Sequence, residues 1–297
     1  MAEELQPDVY FILAGQSNMA GRGAASSAPP EVAEVLGLVG FGDEARWEVA
    51  REPLHLDTDA AQLRSASGSI AKAVAGVGPG VEFGSRISEA ISSSNEWRLG
   101  RGKASGRKAR VGLVPTAVGA TNIDVWVPGG VLFANMMVQA SAAQRRSPSS
   151  VLGGVLYYQG ESDALDEGRA AAFSGKLQSF LAAVHSGLGE KVVVVVCAIH
   201  GGLDRLPFRE QVRAALLASG PNWSREARAW SGGGRERDTS TTTTTSKRDT
   251  TTTTTTAAAA AISERGTNIS ASERATTTTT EPGASGSGSG RSEAGSG

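Results

Sequence analysis

Val9-Tyr10-Phe11-Ile12-Leu13-Ala14-Gly15-Gln16-Ser17-Asn18-Met19-Ala20-Gly21 runs apolar and then stops abruptly at a small polar turn. A short β-branched and aromatic run closed by glycine reads as a buried strand. In open α/β sheets, ligands gather just beyond the carboxyl ends of such strands, which puts Ser17 on that rim. Gly15 lets the backbone turn without Cβ conflict, and a helix starting near Asn18 would aim the amides around Ser17 outward as donors for an anion. Two roles fit Ser17 on this segment alone. One is a nucleophile beside oxyanion donors, the other a helix N-cap.

Three further apolar runs, at residues 111–118, 151–158 and 192–198, share the character of residues 9–13. They are near-continuous rather than alternating, as central strands of a parallel sheet covered by helices on both faces are. Helices are predicted between them at residues 70–77 leading towards 83–91, then 131–146, 167–186 and 207–219. The order is βαβαβαβα, a three-layer α/β/α domain. One more strand is expected at residues 35–41.

The chain has 297 residues, 39% of them apolar, and a formal net charge of −1. A near-neutral chain without a basic stripe argues against a nucleic-acid or membrane-surface partner. Arg98, Arg101, Lys103, Arg107, Lys108 and Arg110 cluster among glycines and serines, the pattern of a solvated loop before a strand. Cys197 is the sole cysteine, which leaves no intramolecular disulfide, and its valine-rich run makes it a small buried hydrophobe. No run reaches the roughly 18 apolar residues of a membrane span, and the acidic start does not resemble a signal peptide, so a cytoplasmic location is expected. Beyond about Trp230 aromatic residues vanish and Thr, Ala, Gly and Ser runs take over. The expected organisation is a folded domain over residues 1–231 and a low-complexity, disordered tail over 232–297.

Each central run ends in a polar or glycine-rich turn. After 111–118 comes Gly119-Ala120-Thr121-Asn122, and after 151–158 comes Gln159-Gly160-Glu161-Ser162-Asp163. Both turns should converge on Ser17. Gly119 is suited to present its backbone N–H to an oxyanion, since a side chain there would crowd the reacting carbon. Gln159 offers a second, uncharged donor, and the Ser17 amide a third.

These blocks resemble those of the SGNH (GDSL-like) hydrolases, and within them the carbohydrate esterase family 6 type related to sialate O-acetylesterases. Gly15-Gln16-Ser17-Asn18-Met19 is similar to that family's nucleophile block, Gly119 falls in its second block, and Gln159-Gly160-Glu161-Ser162-Asp163 is similar to its third, where Gln replaces the Asn of ordinary SGNH enzymes. Glu52-Pro53-Leu54-His55 and Gly78-Pro79-Gly80 also match, and the resemblance covers roughly residues 8–222. It implies a flavodoxin-like parallel sheet and a serine esterase that removes O-acetyl groups from a small or polymeric carbohydrate, without metal or organic cofactor. Ser17 would attack the acyl carbonyl, with Ser17, Gly119 and Gln159 stabilising the oxyanion. Gln16, Asn18, Glu161 and Asp163 would order the site or bind sugar hydroxyls.

The family takes its base and the base's carboxylate partner from a late Asp-x-x-His block, and this sequence contains no such block. The domain is therefore expected to be incomplete at its C-terminal end and its activity impaired. Of the three histidines, His200 directly follows the 192–198 run with Asp204 nearby, and is either a substitute base or a neutral residue of the rim, a position the family does not use for its base. His55 lies in a loop, and His185 sits near a helix end favoured by the helix dipole. Three other readings compete. One is a non-catalytic carbohydrate-binding domain with Trp47 and Trp126 stacked on a sugar. Another is glycosidase chemistry by Glu161 and Asp163, and the third a phosphate cradle at residues 15–18 that lacks the usual lysine or glycine pattern.

Overall fold

The computed structural model describes residues 5–56, 58, 75–95, 97, 106–201 and 204–220. Six strands form one sheet: β1 (Val9–Gly15), β2 (Val35–Val39), β3 (Arg46–Val49), β4 (Val111–Pro115), β5 (Val151–Tyr158) and β6 (Val194–Val196). Their spatial order is β3-β2-β4-β1-β5-β6. All neighbours are parallel except β2 and β3. Without the β2–β3 pair the order β4-β1-β5-β6 follows the flavodoxin pattern, and the pair extends the β4 edge, β2 parallel to β4 and β3 antiparallel to β2.

Successive side chains of β1 point to opposite faces and seed two cores. Tyr10, Ile12 and Ala14 join one apolar cluster with Trp126, Tyr157 and Phe180. Val9, Phe11 and Leu13 join the other with Phe83, Ile87 and Ile91. The first face is covered by α3 (Val131–Arg146), α4 (Glu167–Leu188) and α5 (Arg209–Ala218), and the second by α2 (Gly80–Ser93). These are the three layers expected from the run pattern. A single helical turn, α1 (Ser17–Ala20), follows β1 directly.

Some boundaries and one element depart from expectation. The 111–118 strand stops at Pro115, although Thr116 and Val118 still donate to Leu13 and Gly15 carbonyls at 3.0 Å each. The 192–198 strand shortens to β6, which among the described residues lies at the sheet edge and pairs with β5. Its valines and Cys197 are accordingly half-buried rather than central. β3 was not foreseen, since Arg46, Trp47 and Glu48 alternate exposed, buried, exposed, the mark of an antiparallel strand with one wet face. The helix predicted at 70–77 falls mostly outside the described residues, as does the tail from 232. So do Arg98, Arg101 and Lys103, while Arg107 forms a 2.7 Å ion pair with Asp8 under Trp97. No described helix is long and apolar enough to cross a membrane.

Candidate active site

In chain order the connections from β1 lead first to its β2–β4 side and then to its β5–β6 side. The crevice beyond the carboxyl ends of β1 and β5 is thus the topological switch point. Ser17 opens α1 at that place, half-buried, and its Oγ has no hydrogen bond among the described residues. Gly15 ends β1 at φ +130°, so close to β5 that an added Cβ would lie 2.7 Å from the Tyr158 carbonyl carbon. The Gln16 amide donates to Tyr158 O at 2.9 Å, carrying strand pairing into the turn.

The side chains on either side of Ser17 meet the turn after β5. Gln16 Nε2 donates to Glu161 Oε2 at 2.5 Å, and Asn18 Nδ2 donates to Glu161 Oε1. Ser162 Oγ donates to Gln16 Oε1 at 2.9 Å. Burial pushes the Glu161 carboxyl above the usual range, against the pull of the bonds from Asn18 and Gln16.

Asp163 is fully buried and ties the third strand end in. Its oxygens accept from the Ile123 amide at 3.1 and 3.2 Å, and Oδ2 accepts from Gln159 Nε2 at 2.5 Å. Gln159 Nε2 also donates to Thr121 O at 3.2 Å, and Gln159 Oε1 accepts from Tyr157 OH at 3.2 Å. Burial raises the Asp163 carboxyl, while the Gln159 and Ile123 donors lower it. Gly119 lies in the turn after β4, adjoining Val118, whose amide is held by Gly15 O.

The structure thus brings Ser17, Gln16, Asn18, Gln159, Glu161 and Asp163 to one sheet edge, as convergence of the strand ends predicts. Gln16, Glu161 and Asp163 spend polar atoms on neighbours within that edge, and both Gln159 amide protons have partners; Asn18 alone of these is exposed. Sequence reading missed the linking parts, namely the Ser162 hydroxyl, the Thr121 carbonyl and the Tyr157 hydroxyl. Ser162 and Thr121 lay inside turns already singled out, and Tyr157 in the strand run before one of them.

The histidines are spread apart. His200 is exposed beyond β6, and β5 stands between β6 and β1. At about 4.8 Å per strand, that offsets β6 by about 10 Å from β1. Asp204 is exposed and makes no hydrogen bond to His200 among the described residues. His185 closes α4, with Nε2 3.1 Å from Val192 O. His55 is 1% exposed, and burial pulls its pKa down to about 3, so it stays neutral. The tryptophans invoked for sugar stacking are core residues: Trp126 is fully buried against Tyr157 and Phe180, and Trp47 packs near Tyr10. Neither offers a face to a ligand.

One consequence concerns pH. Because burial raises the folded-state pKa of Glu161, its contribution to stability is fully present below the unfolded carboxyl pKa and is lost as pH rises through the folded one. Glu161→Gln removes that titration. The stability of the wild-type chain relative to Glu161→Gln should therefore fall as pH rises from about 4, levelling off once the carboxyl is ionised. Urea unfolding of both proteins across that range checks this, and a difference that widens in favour of wild type at neutral pH contradicts it.

A sequence model of the carbohydrate esterase, sialic acid-specific acetylesterase family matches residues 7–253. A probable carbohydrate esterase of Arabidopsis thaliana, At4g34215, is 30% identical over 228 residues, spanning 72% of this chain and 76% of that protein. The X-ray structure of the Arabidopsis thaliana protein AT4G34215 aligns with a TM-score of 0.56 at 28% identity, over 72% of this chain and 83% of that one.

Proposed function

The chain belongs to the carbohydrate esterase, sialic acid-specific acetylesterase family, and from this premise we propose that it is a serine esterase acting on O-acetylated carbohydrate, with Ser17 as nucleophile. The family supports an esterase role on acetylated carbohydrates. Ser17 Oγ forms a bond to the acetyl carbon, the bond from that carbon to the sugar oxygen breaks, and the sugar leaves with the proton taken from Ser17. Water then cleaves the acetyl-serine to acetate and restores the hydroxyl. The amides of Ser17 and Gly119 stabilise the oxyanion, and Gln159 adds a donor by exchanging its bond to Thr121 O for one to the oxyanion.

The observation that carries this reading is Ser17 itself: a half-buried hydroxyl without a hydrogen-bond partner among the described residues, at the switch point, on a turn locked to the end of β5. His200 is the proposed proton acceptor, and a strand's width separates its own strand from β1. Loss of a triad base lowers kcat by roughly 10⁴ to 10⁶-fold in serine proteases, so slow turnover is expected here.

Reaction of the full chain with an activated phosphonate, followed by peptide mapping, tests the nucleophile. The label should fall on Ser17 and vanish in Ser17→Ala. p-Nitrophenyl acetate hydrolysis by His200→Ala then tests the base, and a rate equal to wild type would remove His200 from the mechanism. The position of His200 favours one second reading, a carbohydrate-binding domain that keeps the pocket and lacks the chemistry. Binding of an acetylated sugar with no label on Ser17 would establish it.

A further inference from the structure

We propose that Glu161 is a positioning residue, which sets the shape of the nucleophile turn by gripping both side chains that flank Ser17. The inference rests on the reading of Ser17 as nucleophile and extends it to what holds that serine in place. Locally the turn has only backbone bonds, from the Met19 and Ala20 amides to Gln16 O and from the Gly21 amide to Ser17 O, at 2.9 Å each. α1 is only four residues long, far below the length at which a helix is stable by itself, and its N-cap residue Gln16 makes no side-chain capping bond.

The side-chain restraints come from the turn after β5. One carboxylate takes Gln16 Nε2 on Oε2 and Asn18 Nδ2 on Oε1, so residues 16 and 18 are tied to a single rigid acceptor with Ser17 between them. Ser162 Oγ holds the remaining oxygen of the Gln16 amide, and Tyr158 O holds the Gln16 backbone N–H. A carboxylate suits this task because both oxygens accept, whereas an amide in its place would set an N–H₂ against one of the two donors. Glu161 makes no hydrogen bond to Ser17 Oγ, so its effect on the reaction passes through the backbone of the turn.

Wild type, Glu161→Gln and Glu161→Ala are compared by hydrogen exchange of the peptide covering residues 15–20 and by the rate of phosphonate labelling at Ser17. Losing both bonds should speed exchange in that peptide by at least about tenfold while leaving residues 9–14 and α4 unchanged, and should slow labelling about tenfold or more. Glu161→Gln, which keeps one acceptor, should fall between. Exchange and labelling equal to wild type in Glu161→Ala would overturn the proposal, as would an exchange increase spread evenly over the domain. If wild type is not labelled yet Glu161→Ala still loosens residues 15–20, the esterase reading fails and the grip by Glu161 stands. If neither occurs, both fail.

Discussion

Gly15→Ala is expected to cost about 3 to 6 kcal/mol of folding stability and to abolish labelling of Ser17. At φ +130° a residue with a side chain carries strain of about 1 to 3 kcal/mol. The larger difficulty is space, since the new methyl would stand 2.9 Å from Tyr158 N, 2.7 Å from Tyr158 C and closer still to its oxygen. Those atoms are backbone of the neighbouring strand, and no rotamer change relieves the overlap. Either β1 and β5 part at their carboxyl ends or residue 15 changes conformation. Both lose the bond from Gln16 N to Tyr158 O, at about 1 kcal/mol. The sum approaches the ~5 to 15 kcal/mol that stabilises a typical domain. Urea unfolding and peptide mapping after phosphonate treatment measure the two effects. A variant within about 1 kcal/mol of wild type with Ser17 fully reactive would contradict this account of the turn.

Asp163→Ala is expected to cost about 2 to 4 kcal/mol and to reduce any esterase activity, with Asp163→Asn costing less. Removing the carboxylate leaves the Ile123 amide and one Gln159 N–H buried without acceptors, each at about 1 to 3 kcal/mol. Part of that is offset, because a buried carboxylate already opposes folding, as the upward push on its pKa records. Asparagine keeps one acceptor for Ile123 but turns an N–H₂ toward Gln159. The activity loss follows from geometry: Asp163 joins the loop after β4 to the turn after β5, and Gln159 would lose the partner that orients its amide. Denaturant unfolding of both variants beside their p-nitrophenyl acetate rates gives the comparison. Equal stability of Asp163→Ala and wild type would show that the buried bonds contribute nothing net.

Much of this architecture was legible because it rests on local pattern. Residues 151–158 and 131–146 become β5 and α3 with the bounds expected, since apolar continuity and helical periodicity are properties of consecutive residues. The family blocks at Ser17, Gly119 and Gln159 were legible for the same reason, and their meeting at one sheet edge follows from the rule that ligand sites lie beyond strand ends. What was not legible depends on neighbours distant in sequence. That β6 is an edge strand, that Trp47 and Trp126 face the core rather than a sugar, and that β3 pairs antiparallel with β2 are all decided by which strand lies beside which. No short window of sequence encodes that.

By itself, then, the sequence determined the α/β class, the position of the nucleophile block at a strand end, and the lack of an Asp-x-x-His block, because each is written in contiguous residues. Only the tertiary structure decided how the blocks engage one another. Glu161 reaches back 145 positions to Gln16 and Asp163 reaches back 40 to Ile123, and those bonds exist because a parallel sheet sets β5 and β4 on either side of β1. Tertiary structure also placed β5 between β6, which His200 follows, and β1, which Ser17 follows. Proximity in a parallel sheet is fixed by lateral strand order, and lateral order is a property of the whole packed chain.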